Sequence, residues 1–180
     1  MRALAASFVL LFARAVLADE LPIPLQVQLL SKTSAYVTTL QPGEDGKVKV
    51  LVVHGGASAA RGSESLAGAI NQAGTIGKFP AEAKLVPIAE VKGAIASEKP
   101  QIVWLAPELD DKAAQAVIDA CGAASIVTVS VNAAHVKQGV ILGFELAEAR
   151  PRILVHLKQA RTQNVVFLSG LLTHSVIVEK

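Results

Sequence analysis

Four short aliphatic runs recur along the chain, at residues 48–53, 85–88, 102–106 and 126–129. Each is rich in Val, Ile and Leu and predicts a strand; residues 48–53 read as one buried on both faces and residues 102–106 as another buried strand. Segments of helical periodicity lie between them. Leu66, Ala67 and Ile70 mark one helix to about Ala73, with Ser63 and Ser65 as its capping residues. Residues 90–98 form a second, broken by Lys99-Pro100. Asp110-Asp111 opens a third that runs to about Ala120, with acids at the positive end of the helix dipole and Gly122 as its stop. Residues 132–137 make one helical turn.

At the start, Pro24 suits a first helical turn, and Leu25, Leu29, Leu30, Tyr36, Val37 and Leu40 predict an amphipathic helix to about Leu40. Residues 41–46 are a turn, and Gly74, Gly77 and Pro80 mark a loop. After residue 139 the pattern changes. Residues 140–146 and 152–157 are two strands joined by a connection too short for a parallel crossover, so they pair as an antiparallel hairpin. Residues 159–174 then read as one last helix. Alternating strands and helices predict an α/β fold. The expected architecture is a three-layer sandwich with a mainly parallel sheet of about four parallel strands, a C-terminal antiparallel hairpin and a terminal helix.

The first eighteen residues follow a different rule. Met1-Arg2 is a short basic start, residues 3–13 are apolar or small, and Val16-Leu17-Ala18 ends the segment. This is the layout of a secretory signal peptide cleaved after Ala18. The apolar run is too short to cross about 30 Å of hydrocarbon. The expected mature chain is one domain over residues 19–180, exported to the periplasm, with no membrane insertion. Export makes ATP- and NAD(P)H-dependent chemistry a weak expectation, and no cofactor is indicated.

Charge and cysteine content narrow the picture further. With Arg2 and Arg14 removed, Lys plus Arg falls from 17 to 15 and equals Asp plus Glu. A neutral chain lacks the clustered positive field that nucleic acid requires. Cys121 is the single cysteine, so no intramolecular disulfide forms, and its place after an Ala-rich helix predicts a buried thiol.

The candidate chemistry is sparse. His54-Gly55-Gly56-Ala57-Ser58 follows the first strand, where open α/β sheets hold ligands and where glycines let a polar ligand reach backbone N–H groups. His54, Gly55, Gly56 and Ser58, with Ser130 at the end of the fourth run, are the candidate ligand-binding set. The spacing matches neither a dinucleotide fingerprint nor a phosphate-binding loop. His54, His135, His156 and His174 stand at no metal-ligand spacing from one another. A hydrolase reading would use Ser130, His135 and Asp110, with Glu108 nearby, but no recognised spacing supports it. Arg150, Arg152, Lys158 and Arg161 form a basic group suited to solvent or to an acidic partner.

The C-terminal third carries a family resemblance. Residues 139–146 are a Gly-led strand, residues 152–160 a charged strand leading into a helix, and Leu171-Leu172 a leucine pair within it. With the upstream strands in matching order, the chain resembles the YfiR/HmsC-like family of small exported bacterial proteins. The resemblance implies a non-enzymatic periplasmic regulator. Its best-known branch represses a membrane-bound diguanylate cyclase by binding the periplasmic sensor domain, which links the envelope to cyclic-di-GMP. The implied partner is a membrane sensor protein, and a homodimer stays open. Two departures stand out. His156 takes the place of a usual Asn, and the cysteines that some members pair are missing. The alternative is a periplasmic small-ligand-binding domain akin to one lobe of a solute-binding protein.

Overall fold

In the computed structural model, residues 21–56, 60–122 and 124–178 are described. The candidate signal segment and Ser58 lie outside them. Among the described residues, eight strands form one sheet: β1 (Val48–His54), β2 (Thr75–Ile76), β3 (Phe79–Pro87), β4 (Ile102–Leu105), β5 (Val127–Ser130), β6 (Leu142–Ala147), β7 (Arg150–Val155) and β8 (Ser175–Ile177). Their spatial order is β2-β3-β1-β4-β5-β6-β7-β8. The five strands from β3 to β6 run parallel. β6 and β7 form the expected antiparallel hairpin, with Phe144 opposite Ile153. The α/β class and the mainly parallel sheet are therefore as the aliphatic pattern predicts.

Two-sided burial of the central strands sets the layers. Val48, Val50 and Val52 of β1, Trp104 of β4 and Val129 of β5 face one cluster, which also holds Leu30, Leu66 and Ile70. Leu51 and Val53 of β1, with Val103 and Leu105 of β4, face a second cluster containing Val91, Val117 and Val136. The helices divide accordingly. α1 (Ile23–Ser34) and α2 (Ala60–Ala73) cover the first face. α3 (Val91–Glu98), α4 (Asp111–Cys121) and α5 (Ala133–Gln138) cover the second. α4 and α5 begin where the sequence suggests, and each has a side-chain cap. Asp110 accepts from Ala113 N at 2.7 Å and Asn132 from Ala134 N at 2.9 Å.

Four elements differ from expectation. α1 ends at Ser34 instead of about Leu40. Tyr36 N and Val37 N bond the carbonyls of Thr33 and Ser34, tightening the last turn, and Val37 then bridges Phe167 antiparallel. α2 begins at Ala60, so Ser63 and Ser65 lie inside it instead of capping it, and Ser65 Oγ donates back to Arg61 O at 2.9 Å. Residues 75–80 form the antiparallel β2–β3 hairpin, not a loop, with Gly77 at φ +60 in the turn. The last helix divides into α6 (Leu157–Thr162) and α7 (Ser169–Thr173), followed by β8, which lies parallel beside β7. Asn164 causes the break. It adopts φ 55, its N–H donates to Arg161 O and Val165 N–H donates to Ala160 O, the Schellman arrangement.

Close approach requires Gly143. A Cβ there would collide with Val136 Cγ2 and meet Leu154 Cβ at 3.2 Å. The hairpin turn is less well matched to its residues. Glu148 and Ala149 both adopt positive φ, 52 and 58, between the paired Ala147 and Arg150. A two-residue turn of this kind favours Asn-Gly. Replacing Glu148-Ala149 with Asn-Gly should raise stability in urea denaturation by about 1–2 kcal/mol, by removing the left-handed penalty on two L-residues. An unchanged or lower midpoint would contradict that turn geometry.

Candidate functional site

The chain reverses direction between β1 and β4. α2 carries it from β1 outward to β3, and α3 carries it back past β1 to β4, on opposite faces. Loops leaving neighbouring strands to opposite faces open a crevice at their carboxyl ends, the usual ligand position in open α/β sheets. His54 closes β1 at this point, and His54, Gly55 and Gly56 therefore stand at the switch point. His54 is mostly buried, and its Nδ1 lies 3.2 Å from Gly56 O. Because a carbonyl only accepts, Nδ1 carries the hydrogen in that contact. A Cβ on Gly55 would touch Leu109 Cδ2 at 3.4 Å, so the loop packs closely on the β4–α4 connection.

A cavity of about 90 Å³ lies on the α1/α2 side of the crevice, between Gln26, Ser63, Trp104, Pro107 and Glu108. None of His54, Gly55, Gly56 or Ser130 lines it. Gln26 turns its amide inward to Leu21 O at 2.6 Å. Glu108 makes the rim acidic, which opposes an anion there.

Ser130 occupies a different environment. It ends β5, two strands from β1, and is fully buried, as is His135. Ser130 Oγ lies 2.9 Å from His135 Nδ1, and His135 Nε2 lies 2.9 Å from Leu109 O. The Leu109 carbonyl places a hydrogen on Nε2, and the Ser130 hydroxyl lies between two acceptors, His135 Nδ1 and, at 3.2 Å, Leu105 O. Asn132 N–H donates to Ser130 Oγ at 3.1 Å, and the Asn132 amide donates to Pro107 O at 3.1 Å. These bonds clamp the ends of β4 and β5 to the starts of α4 and α5. The third member of the hydrolase reading is absent from the cluster. Asp110 is committed to Ala113 N, and a backbone carbonyl stands where a triad acid would be. Full burial also denies a substrate access to Ser130.

The remaining singled-out residues have structural roles. His156 precedes α6, and its Nδ1 accepts from Gln159 N at 3.1 Å. That is the bond an Asn side chain supplies at a helix N-cap, so the family departure preserves the cap. Arg150, Arg152, Lys158 and Arg161 are exposed on β7 and α6, and Arg152 reaches Glu145 at 4.0 Å. Among the described residues no three of His, Cys, Asp and Glu gather as a metal-binding group, and no helix is long and apolar enough to cross a membrane. Cys121 ends α4 as a buried free thiol, and burial pushes its pKa from the ordinary 9.0 up to about 12.

A two-faced, mainly parallel sheet with a switch point defines a doubly wound α/β domain, and solved structures share that architecture. A conserved domain protein from Vibrio cholerae superposes with a TM-score of 0.61 at 15% identity, over 88% of this chain and 60% of its own. An ABC domain in complex with L-Trp from Streptococcus pneumonia gives 0.59 at 12% identity, over 87% of this chain and 62% of its own. A substrate binding protein with adhesive properties from Clostridium difficile gives 0.60 at 12% identity, over 89% of this chain and 60% of its own. The chain thus spans about three-fifths of the length of these structures, and at such identities the likeness is one of fold. No curated protein matches the chain. The sequence profile of the YfiR/HmsC-like family matches residues 24–175, and the chain belongs to that family. Membership supports a periplasmic regulatory protein in general, in a family of regulators and not of enzymes.

Two measurements check these assignments. Ser130→Ala removes the buried hydroxyl that meets both His135 Nδ1 and Leu105 O, which should lower the unfolding free energy by about 1–3 kcal/mol in urea titration. Unchanged stability would overturn the bonding assigned to the pair. For Cys121, the folded pKa lies above the unfolded one, so the thiol's contribution to stability is full below about pH 9 and declines as pH rises toward 12. At pH 8 a thiol-specific chromogenic disulfide should react with Cys121 only after denaturant is added; rapid reaction of the native protein would show an accessible thiol.

Proposed function

We propose that the chain is a non-enzymatic periplasmic regulator that docks on the periplasmic part of a membrane signalling protein. A diguanylate cyclase sensor is the partner type that the family resemblance suggests. The observation that carries this reading is an exposed apolar surface. Tyr36, Val166 and Leu168 are 41%, 53% and 49% exposed. They belong to two segments joined through the Val37–Phe167 bridge, with Thr38 N bonded to Val166 O and Leu168 N to Tyr36 O, each at 2.9 Å. In an antiparallel pairing, alternate residues face opposite ways. Val37 packs into the core while Tyr36, Val166 and Leu168 face out. Tyr36 also lies against the Gly170 backbone, within 3.3 Å of where a Cβ would sit. A contiguous aromatic and aliphatic surface of this kind favours protein contact.

The second reading, a small-ligand domain akin to one lobe of a solute-binding protein, is supported by the fold likeness and by His54, Gly55 and Gly56 at the switch point. Ser58 lies outside the described residues. The acidic, 90 Å³ crevice makes this the weaker of the two.

The test uses tagged residues 19–180 as bait in envelope extracts, with Leu168→Asp as the contrast. The wild-type chain should retain a membrane protein with a cyclase output domain, and the variant should lose at least tenfold of that retention at unchanged melting temperature. Equal retention by both, or none by either, overturns docking through this surface.

A further inference from the structure

A larger cavity, about 650 Å³, lies away from the strand ends, between the end of α1 and the β2–β3 hairpin. That volume is in the range of small-molecule sites. Its walls are of two kinds. Val37, Leu40 and Ile76 are buried core residues that also reach the cavity, and Phe79 adds an aromatic wall. Lys32 and Lys78 supply the charge, and no Asp or Glu lines the cavity. Neither lysine enters an ion pair among the described residues. Lys78 Nζ sits 5.2 Å from the centre of the Phe79 ring, which places a cation directly beside the apolar wall.

The hydroxyl groups reinforce this polarity. Ser34 also lines the cavity, with 5% of the residue exposed. Ser31 Oγ accepts from Gly77 N at 3.1 Å, so its own proton remains available to an acceptor. The cavity thus offers two ammonium groups and two hydroxyl groups together with aliphatic and aromatic surface.

We propose that this cavity binds an amphipathic monocarboxylate, of the chemistry of a medium-chain fatty acid. The carboxylate accepts from Lys32, Lys78 and Ser34, and the alkyl chain lies on Val37, Leu40, Ile76 and Phe79. Charge complementarity selects the anion, and the apolar wall selects against small inorganic anions. The inference is independent of the docking surface, because neither Val166 nor Leu168 lines the cavity.

The test is isothermal titration of residues 19–180 with decanoate below its micelle concentration, against decanol, decyltrimethylammonium and acetate. Decanoate should bind at one site per chain, and the other three at least tenfold more weakly. Lys32→Glu with Lys78→Glu should weaken decanoate at least tenfold at unchanged melting temperature, since both residues are exposed and neither is in an ion pair among the described residues. Leu168→Asp should bind decanoate like the wild type, which separates this site from the docking reading. Equal binding of decanoate and decyltrimethylammonium, an unaffected double variant, or no decanoate binding overturns the proposal.

Discussion

The central strands have no face to give to water, and the rest of the structure depends on that constraint. Val50 and Val52 point to one side of β1 and Leu51 and Val53 to the other, and all four are buried. Each such side chain contributes about 1.5–3 kcal/mol when removed from water. Helices must therefore cover both faces, α1 and α2 on one side and α3, α4 and α5 on the other. The reversal between β1 and β4, and with it the crevice beyond His54, follows from satisfying both faces with right-handed connections.

Burial on this scale also decides where polar groups end up. Near the strand ends the hydroxyl, imidazole and amide groups are consumed by one another. Ser130, Asn132 and His135 hold the β4 and β5 loops, and Thr128 Oγ1 receives Ile141 N–H at 2.9 Å where β6 joins the sheet. His156 caps α6. Residues whose types suggest chemistry are thus occupied in joining elements, and the low local dielectric makes each such bond expensive to break. Among the described residues, the buried side-chain atoms left without a partner are Gln138 Oε1 and both amide atoms of Gln163. The segment after α1 differs in another way. That segment gives its outward side chains to an apolar surface and its inward ones to a cavity with two unpaired lysines.

The parts legible in the sequence are those whose cause is local. Aliphatic runs without alternation mark β1, β4 and β5 because two-sided burial needs no information from afar. Asp110 and Asn132 start α4 and α5 because a short polar side chain satisfies free N–H groups within three residues. The β6–β7 hairpin follows from the shortness of its connection. The buried state of Cys121 follows from an Ala-rich, apolar helix end.

The elements that only the tertiary structure decided involve distant partners. Helical spacing from Leu25 to Leu40 is genuine, but Thr38 and Val166 are far apart in sequence, and their pairing captures the chain after Ser34. The same pairing draws residues 165–168 into extended form, so the last helix divides, and Asn164 provides the left-handed cap. Its signal was present as a lone Asn, a residue tolerant of that conformation, but it had no meaning until the bridge was known. Ser130 and His135 were paired with Asp110 by residue type; folding turned His135 toward Leu109 O instead, because α4 needs the Asp110 carboxylate at its own first turn. Local chemistry determined which segments are strands and helices. Long-range hydrogen bonding determined where they stop, and therefore which surface and which cavity the protein presents.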